Sequence, residues 1–258
     1  PRTRRATWLI ALTVALSPLA SAFLHFALES SDEIDPVFRA VHHPDRLKMD
    51  LVRDPTRAPR QVLDFFDVKE GMRVADIQAG NGYYTELMSR VVGAKGQVFC
   101  VNNEVTQRLY GEQLTKRLER KGFDAGNVQR VDQPLDEMGL PEDLDRVLLV
   151  RFYHDFGWME TDREAFNDTI FESLRPGGIF GVIDHHANEG EGIGQGGTLH
   201  RIEAALVREE IESAGFVLEA ESYVLNDPTD KHDFNIFADS QKRRDKTDRF
   251  VYLFRKPE

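Results

Sequence analysis

A chain of 258 residues is long enough to bury the core of one full domain with additions. Its composition, 41% apolar and 30% charged with no low-complexity block, is that of an ordinary globular protein. A net charge of −11 argues against a nucleic-acid partner, and the single cysteine, Cys100, excludes an internal disulfide or a thiolate metal cluster.

The N-terminus stands apart. "PRTRR" carries three arginines and no acid, and "ATWLIALTVALSPLASAFLHFAL" carries no Asp, Glu, Lys or Arg. Basic start, apolar run and small-residue ending form the pattern of a secretory signal, with Ala20-Ser21-Ala22 as the cleavage site. Residues 1–22 are therefore expected to be a signal peptide, which makes the protein periplasmic or otherwise exported. The uncharged run is also long enough to serve as an uncleaved membrane anchor, the one expected contact with a membrane. Cleavage after Ala22 would take the net charge from −11 to −14.

Residues 23–60 read as a polar lead-in and helical cap. Val62, Leu63, Phe65 and Phe66 make one helix face ending near Asp67. Strands and helices then alternate. "MRVADIQA" is a strand and "YTELMSRVVG" a helix closed by Gly93; "GQVFCVN" is a second strand, followed by a charged helix from about Glu104 to Lys121. "NVQRVDQ" and "DRVLLVRFYHD" are strands three and four, and a helix from about Thr161 to Leu174 is stopped by "RPGG". "GGIFGVIDHH" is strand five, "LHRIEAALVREEIESAG" a helix, and "FVLEAESYVL" and "FVYLFRKP" the last strands. Near-continuous apolar strands separated by helices indicate a parallel sheet covered on both faces. With no helix between them, the last two strands pair antiparallel. The expected fold is a three-layer α/β/α sandwich over residues 61–258: a doubly wound, mostly parallel seven-stranded sheet, Rossmann-like, with its last strand pair antiparallel. Such sheets bind ligands at the carboxyl ends of their strands, where the strand order reverses.

The first strand end is the most informative stretch. In "VADIQAGNGYYTE" an apolar strand ends in Asp76, Gln78, Gly80 and Gly82 follow, and a helix begins. Glycines let the backbone turn tightly near a ligand, and a helix N-terminus offers free N–H groups to an anion. A dinucleotide fingerprint would need a third glycine where Thr85 stands, and its pyrophosphate would sit badly beside Asp76. A cofactor with both an ammonium and a carboxylate fits better, as in S-adenosylmethionine.

These residues resemble the D-x-G-x-G-x-G motif of class I S-adenosylmethionine (SAM)-dependent methyltransferases, and "LRPGG" resembles that family's lead into strand five. "RFYHDFGW", "DHH" and "GTLHRIEAALVREEIESAGF" are similar to a bacterial group of predicted, often exported methyltransferases of unknown substrate. The resemblance implies SAM as cofactor, with Asp76, Gly80 and Gly82 on the methionine moiety. It also implies Asn102 at the place of the ribose-binding acid and Asp132 near adenine. Gln78 departs from the motif's glycine, either crowding the methionine moiety or donating a hydrogen bond to it.

Methyl transfer needs a nucleophile held in line, and a base only where the acceptor carries a proton. "FYHD" puts Tyr153, His154 and Asp155 at the mouth of strand four; "DHH" puts Asp184, His185 and His186 at strand five; "GTLHR" adds His200 and Arg201. The expected base is His154 or His185, oriented by Asp155 or Asp184. These groups can also hold a divalent ion, but His185 and His186 would face opposite ways on a continuing strand, and no metal is assigned. "ANEGEGIGQGGT" is a lid or a plain loop, and Phe234, Ile236 and Phe237 are a substrate wall or a loop anchor. The sequence thus reads as a methyltransferase acting on a small-molecule acceptor. The alternative is a non-catalytic relative that binds a nucleoside or related metabolite in the cell envelope.

Overall fold

The structure is a computed structural model that describes residues 35–159, 161–237 and 246–258. The expected signal or anchor segment, residues 1–22, lies outside the described residues. Pro36–Glu258 forms one compact unit, so the helical cap from Pro36 onward belongs to the same body as the sheet.

Four short helices lead in: α1 (Pro36–Val41), α2 (Lys48–Leu51), α3 (Asp54–Arg57) and α4 (Pro59–Phe65). Pro55 and Pro59 stand in the first turns of α3 and α4, where a missing N–H costs nothing. Then come β1 (Arg73–Ile77), α5 (Tyr83–Val92), β2 (Gln97–Asn102), α6 (Glu104–Leu118), β3 (Val128–Asp132) and β4 (Leu144–Val150). The chain continues through α7 (Phe156–Met159), α8 (Arg163–Ser173), β5 (Leu174–His185), α9 (Ala204–Ser213), β6 (Val217–Glu221) and β7 (Arg249–Arg255). Asn103 and Asp162 cap α6 and α8 by accepting from the backbone N–H of Thr106 and Ala165.

The seven strands lie in the order β3-β2-β1-β4-β5-β7-β6. β1 pairs parallel with β2 and β4, β2 with β3, and β4 with β5, while β7 runs antiparallel between β5 and β6. The expected doubly wound sheet is therefore present, with its antiparallel end. Alternating strand residues feed two cores. Ala75, Ile77, Val147, Leu149, Phe180 and Val182 meet α8 and α9 through Phe166, Ile170, Val207 and Ile211. Val74, Leu148, Ile179 and Ile183 meet α1, α4 and α5 through Val37, Leu63, Phe66, Leu87 and Val91. Each fully buried side chain of this kind contributes about 1.5–3 kcal/mol.

Two elements differ from expectation. β5 starts at Leu174 and takes in "RPGG", because Leu144 already pairs with Leu174 before an irregularity lets Arg146 pair with Ile179. β6 stops at Glu221; it is an edge strand with alternately exposed residues, and "SYVL" turns away after it. Among the described residues no helix is long and apolar enough to cross a membrane.

Candidate functional site

The strand order reverses between β1 and β4, and there a cavity of about 600 Å³ opens at the carboxyl ends of the strands. Its floor is the turn after β1 (Asp76, Gln78, Ala79, Gly80 and Asn81), its far wall the segment after β4 (Arg151, Phe152, Asp155 and Trp158), and His185, His200, Ile236 and Phe237 close it. A larger cleft lies at the opposite ends of β1 and β2, but none of the turn residues reaches it.

The turn is held from below. Asn102, fully buried at the end of β2, accepts from the Gly80 N–H at 2.9 Å and donates to the Gly80 carbonyl at 3.1 Å. Both amide atoms are thus spent on the backbone, and the side chain does not line the cavity; the ribose role expected for Asn102 gives way to that of a brace. Gly82 sits at φ +82°, and a Cβ there would meet Leu114 of α6 at 2.8 Å. Arg117, also on α6, donates from Nε to the Asn81 carbonyl at 2.6 Å and from Nη1 to Asp50 at 2.6 Å and Glu86 at 2.7 Å. Gly82 is needed because α6 crosses so close to the turn, and Gly80 because its φ is +60°.

Gln78 departs from the pattern in backbone as well as in letter. Its φ is +55°, the left-handed region that suits glycine and costs other residues roughly 1–2 kcal/mol. Its side chain is 7% exposed, and neither Oε1 nor Nε2 has a hydrogen-bond partner within the protein. A buried amide left unsatisfied costs about 1–3 kcal/mol. Strain and an unsatisfied amide meet at the floor of the cavity. Beside it, Asp76 accepts from Thr85 Oγ1 at 2.6 Å, and burial raises its pKa to about 6. The N-cap residue Gly82 has no side chain to cap α5; the Thr85 N–H goes to Asp76, which leaves those of Tyr83 and Tyr84 for an anion. An amide, a carboxylate and helix N–H groups at one turn fit the carboxylate and ammonium of a methionine moiety.

Asp132 is not part of this cavity. It pairs with Arg130 at 2.6 Å and lines a neighbouring cleft with Glu104, Gln133 and Phe166. That cleft continues along the carboxyl ends of β2 and β3.

The far side gathers histidines. The His154 ring centroid lies 5.8 Å from that of His185 and 5.6 Å from that of His200. His154 itself is buried behind the wall. Its Nδ1 is 2.6 Å from Asp184 Oδ1, and its backbone N–H donates to Asp184 Oδ2 at 2.8 Å. Burial disfavours its charge, but the carboxylates of Asp184 and Asp155 outweigh burial and raise its pKa to about 9. His154 is shut behind the wall between Asp184 and Asp155 and does not line the cavity where a base would act. His185 does line the cavity. Arg151 Nε donates to its Nε2 at 3.1 Å, which leaves Nδ1–H to donate to Thr247 Oγ1 at 2.6 Å. Burial, then the Arg151 charge, push its pKa well below the usual histidine range. His186 faces the other way, as the strand geometry requires, and stacks on His232.

Asp155 and His200 form a half-buried pair on the cavity wall. His200 Nδ1 lies 3.0 Å from Asp155 Oδ1, and Trp158 Nε1 donates to the same oxygen at 2.7 Å. Burial raises the Asp155 pKa, but His154 and His200 more than offset it and hold the carboxyl below its usual range. Tyr153, expected in this group, turns into the other core: its hydroxyl donates to Glu210 at 2.8 Å and accepts from Asn167 at 2.8 Å. Sequence reasoning noticed His200 without choosing it, and it missed Arg151, Trp158, Tyr84 and Tyr110. One signal is visible only in three dimensions. Gln78, Arg151 and His200 all have positive φ, and all three line this cavity. Its mouth is apolar, with Met49, Leu109, Tyr110, Trp158 and Phe237 each more than a third exposed.

Comparison with known proteins agrees with this geometry. The protein-L-isoaspartate(D-aspartate) O-methyltransferase family matches residues 56–135, from α3 through β3. The chain is 26% identical over 189 residues to the ubiquinone/menaquinone biosynthesis C-methyltransferase UbiE of Pasteurella multocida, covering 69% of this chain and 67% of that one. It spans about two thirds of the length of the curated relatives it matches. Its fold is that of a SAM-dependent methyltransferase from Aquifex aeolicus, at TM-score 0.56 and 21% identity over 81% of this chain and 97% of that one. A possible exported protein from Bordetella parapertussis shares the fold at TM-score 0.53 and 15% identity over 86% of this chain and 78% of that one. The chain is thus similar in sequence to methyltransferases over part of its length and shares the fold of a SAM-dependent one.

Proposed function

We propose that the protein transfers a methyl group from SAM to a small-molecule acceptor bound in the cavity between β1 and β4. The observation that carries this reading is the turn Asp76–Gly82, with the unpartnered Gln78 amide buried on the cavity floor. Asp76 and Gln78 would hold the methionine ammonium and carboxylate, with the first N–H groups of α5. Bound there, SAM supplies an electrophilic methyl group on a sulfonium. The acceptor reaches that methyl past Met49, Leu109, Tyr110 and Phe237, a mouth suited to an apolar or aromatic body. Asp155 and His200 are the polar groups at its reacting end.

The matched names differ in acceptor and in the atom methylated, so they do not choose the substrate. The apolar mouth favours the lipophilic class, and quinone-type rings are the first acceptors to try. Calorimetry with SAM, S-adenosylhomocysteine and NADH is the direct test: the two sulfur ligands should bind and NADH should not. Failure of both sulfur ligands at millimolar concentration would sink the reading. Residues 1–22 act, in the same proposal, as an export signal; mass spectrometry of the mature N-terminus from a periplasmic fraction should find Phe23 first.

A further inference from the structure

Asp155 carries more than a hydrogen-bonding role explains. Its Oδ1 lies 3.2 Å from His154 Nε2 and 3.0 Å from His200 Nδ1. Those three ligating atoms all lie within 4.8 Å of one another. His154 is 1% exposed, and its Nε2, although ion-paired with that carboxylate, is not aligned for a hydrogen bond with it. Its other nitrogen is fixed by Asp184 at 2.6 Å. A buried imidazole with one nitrogen on a carboxylate, and the other aimed at a second carboxylate and a second imidazole, is the arrangement of a metal ligand with its outer partner. Donor atoms about 2.1 Å from one ion lie about 3.0–3.4 Å apart in octahedral or tetrahedral sites, close to the separations from Oδ1. His185 is excluded from the set, because Arg151 and Thr247 occupy its two nitrogens.

We propose that His154 Nε2, Asp155 and His200 Nδ1 bind a divalent first-row transition-metal ion, which takes the place of the His154 Nε2 proton and releases it to solvent, with its remaining positions open to the cavity. Asp184 orients His154, and Trp158 Nε1 donates to the same Asp155 oxygen that faces the two histidines. Two imidazoles and one carboxylate suit zinc, iron(II) or cobalt(II) better than calcium or magnesium, which prefer all-oxygen sets. The open positions face the expected acceptor, so an acceptor oxygen would complete the coordination. That use rests on the methyl-transfer reading; binding of the ion does not.

The test uses the full chain, stripped with chelator and titrated with cobalt(II) in the absence of SAM. About one equivalent should bind, with a visible ligand-field absorption that zinc displaces. Asp155→Asn and His200→Asn should each weaken binding by at least about tenfold, and Asp184→Asn by about 10- to 100-fold. Asparagine is chosen at 200 because it tolerates the positive φ found there. His186→Gln, on the opposite face, should bind as the parent does. Circular dichroism of the metal-free variants separates lost ligation from lost fold, and the half-buried His200 provides the variant least damaging to the core. No absorption at millimolar cobalt, or equal binding by folded Asp155→Asn and His200→Asn, would overturn the site. Cobalt binding without SAM binding would overturn only the methyl-transfer reading, and the reverse result only the metal.

Discussion

The two sides of the cavity are built by different means. On the β1 side, backbone does the shaping: a glycine turn, an uncapped helix and Asn102 bonded to Gly80. The side chains there mostly hold that backbone still, with Arg117 between Asp50 and Glu86 as the largest example. On the β4–β5 side, side chains do the work themselves. Asp155, His185 and His200 come from separate segments and face the cavity, each fixed by a neighbour rather than by the main chain. The difference suits a turn that receives one invariant cofactor and a wall that must be free to suit an acceptor.

If that division holds, the strongest blow to the β1 side should be structural. Arg117→Ala leaves Asp50 and Glu86 buried with fewer partners and should cost about 3–5 kcal/mol, read as a lower urea midpoint. A loss under about 1 kcal/mol would mean that the network is ornamental. Asn102→Asp comes next. The family pattern says that an acid here should tighten SAM, but the brace says the reverse, since a carboxylate would face the Gly80 carbonyl now 3.1 Å from Nδ2. A destabilisation of about 1–3 kcal/mol with weaker SAM binding is expected; tighter binding would restore the ribose role.

Gln78→Gly should split the two measures. Relief of the positive φ should raise stability by about 1 kcal/mol, while loss of the amide should weaken SAM binding about tenfold. Smallest and most graded is the pH effect at Asp76. Its folded pKa of about 6 lies above the unfolded carboxylate value of 3.8, so between those values the folded state holds the extra proton. Its contribution to stability is therefore full below the unfolded value and declines as pH rises through about 6. Affinity for the SAM ammonium should run the other way and fall as pH drops below about 6. Calorimetry from pH 5 to 8 would show an affinity independent of pH if Asp76 did not meet the ammonium.

What could be read from the sequence follows the same division. Asp76, Gly80 and Gly82 lie within one short stretch, so their joint meaning survives in the linear order, as do the apolar strands. The far wall does not. His185 and His154 are 31 positions apart in the numbering yet neighbours in space, and the strand pattern alone could not say that Tyr153 turns inward while Asp155 turns out. Within the helical cap expected over residues 23–60, the bounds of α1 to α3 could not be read for another reason: they are too short for a periodicity to emerge, and α1 is held by packing Val37, Ala40 and Val41 against the core. Gln78 was legible as a departure, but its positive φ was not.

The place of β7 also sets an order in time. β7 follows β6 in the chain yet lies between β5 and β6 in the sheet, and among the described residues β6 has no other neighbour. During synthesis β6 must wait unpaired until β7 appears. Thr247, which holds His185, arrives with it. Loss of the segment from Thr247 to Arg255 would therefore take β7 from the sheet, leave β6 without its partner strand and remove the Thr247 support from His185.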